Sequence, residues 1–298
     1  MSEAAPAFGV APKGYRLPAA ATPGRVRLQV ADLRRSIDFY TRVIGLPVID
    51  KGRGHASLGA AAGDGERPLV ELIERRGAAP VPRGRRFGLF HFALLLPDRA
   101  ALGAFLKHLT GLGGRPGMAD HFVSEALYLY DPDGLGIEVY ADRPRDRWRT
   151  LAGELVMVAD PIDAPSLMAA AEGRTWAKAP DGTRIGHLHL HVGTLEEASA
   201  FYHGALGFDK TVWTFPGALF LAAGGYHHHL GTNVWTSEAV AARDDEARLI
   251  EWELVLPKST DASNAARSVE AAGYAAAREN REWVVRDPWG TALRLRGA

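Results

Sequence analysis

The stretch "HLHLHVGTLEEASAFYHGALGF", residues 187–208, joins two different periodicities across a short polar break. In its first six residues His alternates with Leu or Val, and this period of two predicts a β-strand. The residues that follow keep roughly helical spacing at Ala198, Phe201, Tyr202 and Ala205. Gly207 then supplies a C-terminal stop, because glycine readily adopts the left-handed conformation that ends helices. The stretch therefore predicts a strand, a helix and a terminating glycine.

Three further segments share this opening. They are "RVRLQVADLRRSIDFYTRVIGL" (25–46), "HFALLLPDRAALGAFLKHLTGLGG" (91–114) and "EWELVLPKSTDASNAARSVEAAGY" (251–274). Short β-rich pieces separated by Gly, Pro and Asp follow the openings, such as "PLVELIE" and "ALFLAAG". Each copy thus predicts a βαβββ unit, and four such repeats predict an α+β fold.

The spacing of the repeats predicts the domain limits. We expect an N-terminal arm over 1–24, a first domain of two units over 25–143 and a second domain of two units over 185–298. The extra residues 144–184 form a linker with a short helix near 164–173.

The composition limits the classes of function. The 298 residues are 47% apolar and 23% charged, with 35 basic and 35 acidic side chains, so no nucleic-acid or membrane partner is expected. The chain has no cysteine, so a metal would be held by His, Asp or Glu. A reducing cytoplasm is the expected location.

Each βαβββ unit covers one face of its sheet with its helix and must pair with a second unit to bury the other face. Two paired units would form a curved sheet around a cleft, into which equivalent residues point. The first residues of the opening strands are Arg25, His91, His187 and Glu251. The central residues of the closing strands are Glu71, Glu138, His228 and Arg294.

His91, Glu138 and His187 provide two imidazoles and one carboxylate if units two and three share a cleft. Non-haem Fe(II) uses this set and keeps positions open for dioxygen. A single strand histidine is more often part of the packing, but two at the same repeat position favour a site. His189 and His191 lie on the same strand face as His187, and only the repeat register selects His187.

The run "GGYHHHLGTNVW" (224–235) contains three successive histidines. In a strand, His227 and His229 would share one face, and Tyr226 and His228 the other. A half-exposed strand that binds metal only loosely is one interpretation. Its repeat position indicates that His228 contacts either the substrate or a residue that binds the metal.

The segment "HFVSEALYLYDPDGLGIE" (121–138) resembles the signature of extradiol ring-cleavage dioxygenases of the vicinal oxygen chelate superfamily. The stretches "GLFHFALLLPDR", "IGHLHLHV" and "GGYHHHLGTNVW" extend the resemblance to the catechol 2,3-dioxygenases of the glyoxalase/bleomycin resistance group. The resemblance implies His91 and Glu138 as iron ligands, His121 as the acid/base residue and Tyr128 as a hydrogen-bonding partner of the substrate.

One position departs from this pattern. Better-known extradiol enzymes take their first histidine ligand from the unit immediately before the one that carries the signature, and here that position is Arg25, which cannot ligate iron. Either the metal is lost, or unit two pairs with unit three so that His187 replaces the missing ligand. We expect the second arrangement.

The chemistry that the resemblance implies is cleavage of a catechol by dioxygen, with Fe(II), or alternatively Mn(II), as the cofactor. His121 would accept a substrate proton and return it later, since histidine titrates near neutral pH. We expect His228 and Trp235 to contact the substrate, and the protein to form a homo-oligomer.

Two rival functions use the same fold, because a fold does not fix its reaction. A glyoxalase-type isomerase or lyase would place four protein ligands around its metal, so His228 within bonding distance would favour it. A non-catalytic binder would hold a small molecule in a cleft lined by Trp213, Phe215 and Trp235, and would bind no iron tightly.

The remaining units, one and four, would then cover each other. This pairing brings Arg25, Glu71, Glu251 and Arg294 together, and two arginines with two glutamates can form bidentate ion pairs. We expect salt bridges to occupy this second cleft, although strand-end Arg and Glu side chains more often reach solvent.

Overall fold

A computed structural model describes residues 8–62, 65–236 and 238–298 of the chain. Within these ranges no helix is both long enough and apolar enough to cross a membrane. Four βαβββ units follow one another, which confirms the predicted fold class.

The first two units precede the linker. Unit one contains β1 (Thr22–Val30), α1 (Leu33–Phe39), β2 (Val48–Gly52), β3 (His55–Ala62) and β4 (Gly65–Glu74). Unit two contains β5 (Gly88–Leu95), α2 (Arg99–Gly111), β6 (Gly117–Asp120), β7 (Ser124–Tyr130) and β8 (Gly136–Asp142). α1 continues directly into a π-helical turn, Tyr40–Ile44.

The linker contains a 3₁₀ turn (Arg145–Arg147), β9 (Thr150–Leu151), β10 (Glu154–Leu155) and α3 (Ala164–Ala169). α3 confirms the short helix predicted in this region.

The last two units repeat the pattern. Unit three contains β11 (Arg184–His191), α4 (Leu195–Ala198), β12 (Asp209–Val212), β13 (Ala218–Ala222) and β14 (Leu230–Asn233). Unit four contains β15 (Arg248–Leu256), α5 (Ser259–Ala271), β16 (Ala276–Glu279), β17 (Glu282–Arg286) and β18 (Ala292–Gly297). α4 also continues into a π-helical segment, Ser199–Ala205.

Two eight-stranded sheets combine these units. The inner sheet has the order β12-β13-β14-β11-β5-β8-β7-β6 and joins units two and three. The outer sheet has the order β16-β17-β18-β15-β1-β4-β3-β2 and joins units one and four. The predicted pairing of unit two with unit three is therefore confirmed. Each sheet combines strands from both sides of the linker, and the division into a first and a second domain stays a prediction.

Local sequence signals explain where the helices begin and end. Asp32, Asp98 and Thr194 accept backbone hydrogen bonds from the first turns of α1, α2 and α4 as N-caps. Gly45 and Gly207 have φ values of 87° and 98°, so the predicted stops are left-handed glycines.

Two buried tyrosine–aspartate hydrogen bonds connect the sheets. Tyr40, from unit one, donates to Asp131 in the turn of unit two at 3.3 Å, and Tyr202, from unit three, donates to Asp287 in unit four at 2.8 Å. Both aspartates also accept two backbone N–H groups of their own turns. Burial raises the pKa of Asp131 to about 6. The aspartate of the signature turn therefore has a structural role that unit four repeats.

Candidate metal centre

Two histidines converge where the two units of the inner sheet meet. His91 is the fourth residue of β5, and His187 is the fourth residue of β11. The prediction that they are the first residues of their strands is wrong, because both strands start three residues earlier. The offset is the same in both units, so the two positions remain equivalent. The centres of the two imidazole rings lie 5.7 Å apart.

Glu138, the third residue of β8, reaches both histidines. Its Oε2 lies 3.0 Å from Nε2 of His91 and 3.1 Å from Nε2 of His187. One donor atom from each of the three side chains lies within 4.8 Å of the others, and all three residues are buried. No other such group of three His, Asp or Glu side chains occurs in the part of the chain that the structure describes.

The protonation of these side chains fits a divalent cation. Burial lowers the pKa of His91 and of His187, so both rings are neutral near pH 7 and have lone pairs to donate. Burial opposes ionisation of Glu138, but the two adjacent histidines hold its pKa well below its usual value. Within the described ranges Nε2 of His91 makes no hydrogen bond despite its short distance to Glu138, because the geometry is unsuitable. The residues present therefore fit a metal with two imidazole ligands and one carboxylate ligand.

Unit three has no side chain at the position that Glu138 occupies in unit two. Glu138 pairs with Ala93 of β5, two residues after the candidate histidine ligand, and Gly231 pairs with His189 of β11 in the same way. The prediction that His228 is the equivalent residue is wrong, because β14 begins only at Leu230.

A side chain at Gly231 would not fit without movement of its neighbour. A Cβ placed there would lie 3.0 to 3.1 Å from three ring atoms of His189. The glycine therefore leaves space for the His189 ring. Unit three then offers only His187 as a candidate ligand, where unit two offers both His91 and Glu138.

The signature hairpin places a histidine and a tyrosine beside this cluster. Tyr128 on β7 lies directly across from Glu138 on β8, whereas His121 lies in the loop between β6 and β7. Nδ1 of His121 lies 2.5 Å from the carbonyl oxygen of Val158, and its Nε2 lies 2.6 Å from the Tyr128 hydroxyl.

These contacts define the proton positions of the pair. A carbonyl oxygen can only accept a hydrogen bond, so Nδ1 of His121 carries a proton. Nε2 of the neutral ring then has a lone pair and accepts a hydrogen bond from the Tyr128 hydroxyl. Burial, followed by the charge of Glu138, raises the pKa of Tyr128 well above its usual value. The hydroxyl therefore keeps its proton.

The segment 226–229 is not part of a strand, so the predicted alternation of its side chains is wrong. Nδ1 of His227 lies 2.7 Å from Nδ1 of His228, and Nε2 of His227 donates to Asp142 at 2.9 Å. In the neutral rings, His228 then donates from Nδ1 and keeps its lone pair on Nε2. Its ring centre lies 4.1 Å from that of His187.

A cavity of about 250 Å³ lies against His91 and Glu138. Its lining includes His121, Tyr128, His228 and Trp235, which are the predicted acid/base and substrate-binding residues. It also includes His189, which the repeat register did not select and whose buried Nε2 has no hydrogen-bond partner among the residues that the structure describes. Of the three aromatic residues predicted for a cleft of the binder type, Phe215 and Trp235 line the cavity and Trp213 does not.

The outer sheet has ion pairs at the equivalent positions. Arg25 and Glu251 are the fourth residues of β1 and β15. Arg25 pairs with Glu71 at 2.9 Å, and Arg294 pairs with Glu251 through two hydrogen bonds of 2.8 and 2.9 Å. The predicted salt bridges of the second cleft are thus confirmed.

Paired βαβββ units around a cleft, with a buried group of two histidines and one carboxylate, define a class of metal-dependent proteins. The chain belongs to the Glyoxalase/Bleomycin resistance protein/Dioxygenase superfamily, which it matches over residues 22–139 and 184–295.

Three comparisons illustrate the range of this superfamily. The chain is 43% identical over 269 residues to Catechol-2,3-dioxygenase of Bacillus subtilis (strain 168), which covers 89% of this chain and 93% of the relative. It is 28% identical over 126 residues to Lactoylglutathione lyase of Escherichia coli O157:H7, covering 40% and 92%. The crystal structure of glyoxalase I from Zea mays shares the fold, with a TM-score of 0.56, 19% identity, and coverage of 93% and 92%. The predicted resemblance to catechol 2,3-dioxygenases is therefore confirmed.

Proposed function

We propose that the protein is an extradiol dioxygenase that cleaves catechol-type rings with dioxygen and uses Fe(II), or alternatively Mn(II). The observation that carries this proposal is the set of three buried donors, His91, Glu138 and His187, with Gly231 at the fourth equivalent position. Three protein ligands leave coordination positions for the substrate and dioxygen.

The three donors would hold the metal. A bound metal would supply a common binding point for an electron-rich catechol and dioxygen, and a route for charge from the ring to dioxygen. The protein contributes a site shielded from water. His91, Glu138 and His187 are at most 5% exposed, so the charge of the carboxylate acts in a medium of low dielectric constant.

His121 and Tyr128 would move the substrate proton. A catechol hydroxyl that donates to Oη of Tyr128 can transfer its proton there as the proton of Tyr128 passes to Nε2 of His121. The Val158 carbonyl stabilises the resulting imidazolium through Nδ1. The reverse transfer returns the proton to the product, as a general acid/base pair requires.

His228 and Trp235 would contact the substrate from the opposite part of the cavity. The hydrogen bond from His228 to His227, which itself donates to Asp142, leaves Nε2 of His228 as an acceptor for a substrate hydroxyl. The side chain of Trp235 supplies an aromatic surface at the mouth of the cavity.

The two rival functions are less well supported. A glyoxalase-type enzyme would need a fourth protein ligand, but Gly231 offers none and His228 is not part of the group of donor atoms. A binder without metal would not need two buried neutral histidines against an ionised glutamate, an arrangement that is costly without a cation.

The direct test is anaerobic reconstitution of the protein with Fe(II), followed by measurement of bound metal and of ring-cleavage product by absorbance after addition of catechol and air. We expect one metal per chain and a yellow semialdehyde product. A metal-loaded protein that leaves catechol unchanged but isomerises the hemithioacetal substrate of lactoylglutathione lyases would contradict the proposal. Cytoplasmic location and homo-oligomerisation remain predictions, the second open to size-exclusion chromatography.

A further inference from the structure

The loop that carries His121 between β6 and β7 has a strained backbone. Phe122, the next residue, has a φ of 67°, in the left-handed region. This conformation is rare for a bulky side chain, and Phe122 is the only aromatic residue that adopts it in the described part of the chain. Such strain persists only where the surrounding structure holds it, and it is frequent at functional sites.

Asp120 holds this turn from the preceding position. Its Oδ1 accepts the backbone N–H of Phe122 at 2.9 Å. Its own backbone exchanges two hydrogen bonds with Asp160 of the linker, of 2.8 and 3.0 Å, and His121 donates its N–H to the carbonyl of Ser124 at 2.9 Å. The peptide groups on both sides of His121 are therefore fixed.

Arg143 in turn holds Asp120. Both terminal nitrogens of its guanidinium contact the carboxylate, with Nη2 at 2.8 Å from Oδ2. Burial opposes ionisation of Asp120, but the hydrogen bonds from Arg143 and from the N–H of Phe122 hold its pKa below the usual value. Arg143 directly follows β8, and its backbone N–H donates to the carbonyl of Val123 at 2.8 Å. This bidentate pair therefore ties the turn to the strand that carries Glu138.

The imidazole of His121 needs this fixed backbone, because it spans two partners on different elements. Its Nδ1 contacts the carbonyl of Val158 in the linker at 2.5 Å, and its Nε2 contacts the hydroxyl of Tyr128 on β7 at 2.6 Å. A small movement of the turn would break one contact or both. A displacement of about 1 Å at a reacting group can cost about 100-fold in rate.

We infer that Asp120 and Arg143 are positioning residues for His121. Together they keep the strained turn closed and direct the imidazole to the hydroxyl of Tyr128. Neither residue lines the cavity, so their effect on the reaction would pass through His121. The kinetic part of this inference rests on the proposed function.

The first test observes the His121 ring in the full-length protein before iron is added. A proton on Nδ1 that is held by the Val158 carbonyl should give a slowly exchanging, downfield signal in the proton NMR spectrum, and its loss in His121→Ala would identify it. We expect this signal to broaden or vanish in Arg143→Ala. An unchanged signal in that variant would contradict the inference.

Two further variants serve as controls for this signal. Arg143→Lys keeps a cation beside Asp120 and should retain the signal in part, although an ammonium group cannot form the bidentate pair. Arg174→Ala removes an exposed ion pair with Asp98, far from the turn in sequence, and should leave the signal unchanged. Equal loss in Arg143→Lys, Arg143→Ala and Arg174→Ala would mean that the signal reports general stability, which would overturn the inference.

The second test uses steady-state kinetics of the Fe(II)-loaded protein with catechol. Arg143→Ala should lower kcat by about 10- to 100-fold through misplacement of His121. KM should stay within about threefold, because no residue that lines the cavity is changed. The metal-to-protein ratio should equal that of the unsubstituted protein. A rise in KM without a fall in kcat would contradict a positioning role.

A double variant shows whether the effect passes through His121. In a His121→Ala background, Arg143→Ala has no imidazole to misplace, so the two losses in kcat should not multiply. A double variant whose loss equals the product of the two single losses would assign Arg143 a structural role alone and would overturn the inference.

The two tests separate this inference from the proposed function. If no catechol is cleaved but the His121 signal is lost in Arg143→Ala, the proposed function fails and the positioning of the ring stands. If catechol is cleaved and Arg143→Ala changes neither the signal nor kcat, only the inference fails.

Discussion

The two clefts have the same geometry and opposite chemistry. In the outer sheet, the opening and closing positions of each unit carry an arginine and a glutamate, which pair within the unit: Arg25 with Glu71, and Glu251 with Arg294. In the inner sheet, two histidines share one carboxylate, Glu138.

The two clefts differ in whether their carboxylates already have a positively charged neighbour. Each carboxylate of the outer cleft has a permanently charged guanidinium beside it, so no positive charge is missing. In the inner cleft the neighbours of Glu138 are neutral imidazoles, whose pKa values are lowered by burial. The fold therefore supplies four converging positions, and the residue types at those positions decide between an ion-pair cluster and a metal site.

The largest effect is expected for Glu138→Gln. This change removes the carboxylate of the candidate metal centre, the only one in that group of donors among the described residues, so the variant should lose tight metal binding and ring cleavage. The metal-to-protein ratio after dialysis measures the first, and product absorbance measures the second. Glu282→Gln, at the rim of the outer cleft, is the control and should retain both. A fully metal-loaded Glu138→Gln protein would show that the metal binds elsewhere.

His121→Ala should retain metal and lose rate. The loss should be about 10² to 10⁴-fold in kcat, which is the usual contribution of a general acid/base group. Tyr128→Phe should reduce kcat as well, because the proposed proton path passes through its hydroxyl. The checks are metal content and steady-state kinetics of both variants. If His121→Ala also lost its metal, its role would be that of a ligand.

Glu251→Gln should lower the free energy of unfolding by about 1.5 to 3 kcal/mol, because the buried Arg294 loses its bidentate partner. Arg294 keeps Glu279 at 3.1 Å and Glu282 at 3.6 Å, so its charge is not left unpaired. Denaturant titration measures the change. The control is again Glu282→Gln, whose side chain is 30% exposed and should contribute about 0 to 1 kcal/mol. A loss for Glu251→Gln within that smaller range would mean that the cluster does not behave as a buried pair.

The smallest effect concerns the hydrogen bonds that join the two sheets. Tyr202→Phe removes a buried donor to Asp287 and should cost about 1 kcal/mol of unfolding free energy. Tyr40→Phe should cost less, because its bond to Asp131 is longer, 3.3 Å against 2.8 Å. Thermal and denaturant unfolding compare the two variants. A metal content equal to that of the unsubstituted protein in both variants would show that these hydrogen bonds stabilise the fold without affecting the metal centre.

Periodicity in the sequence was sufficient to predict the four units and the equivalent positions of the two candidate ligand histidines. The reason is that a repeat transfers register from one copy to another, so a common error of three residues in the strand starts left His91 and His187 equivalent. The pairing of unit two with unit three was inferred instead from Arg25 in unit one and from the histidines that units two and three share. His228 shows the limit of this argument. The apolar and polar letters of 226–229 are compatible with a strand, but Gly224 and Gly225, with φ values of 60° and 65°, turn the chain before it.

The position of linker residues 156–160 against the cavity could not be predicted from the sequence, for a different reason. Met157 and Ala159 reach the cavity because Asp160 bonds to Asp120, forty residues earlier in the chain. Contacts between a linker and a distant strand leave no local periodicity in the sequence. The same holds for His227, whose orientation depends on Asp142.

The pairing of units also sets the order in which the chain can fold during synthesis. β5 pairs with β11 within the middle of the chain, whereas Val26 of β1 pairs with Trp252 of β15, more than two hundred residues later. At about 5 to 20 residues per second, the edge of β1 waits roughly 10 to 45 s on the ribosome for its partner. During that interval it is an open strand edge, which is prone to aggregation. The inner sheet, with all three candidate ligands, can close before unit four has been made.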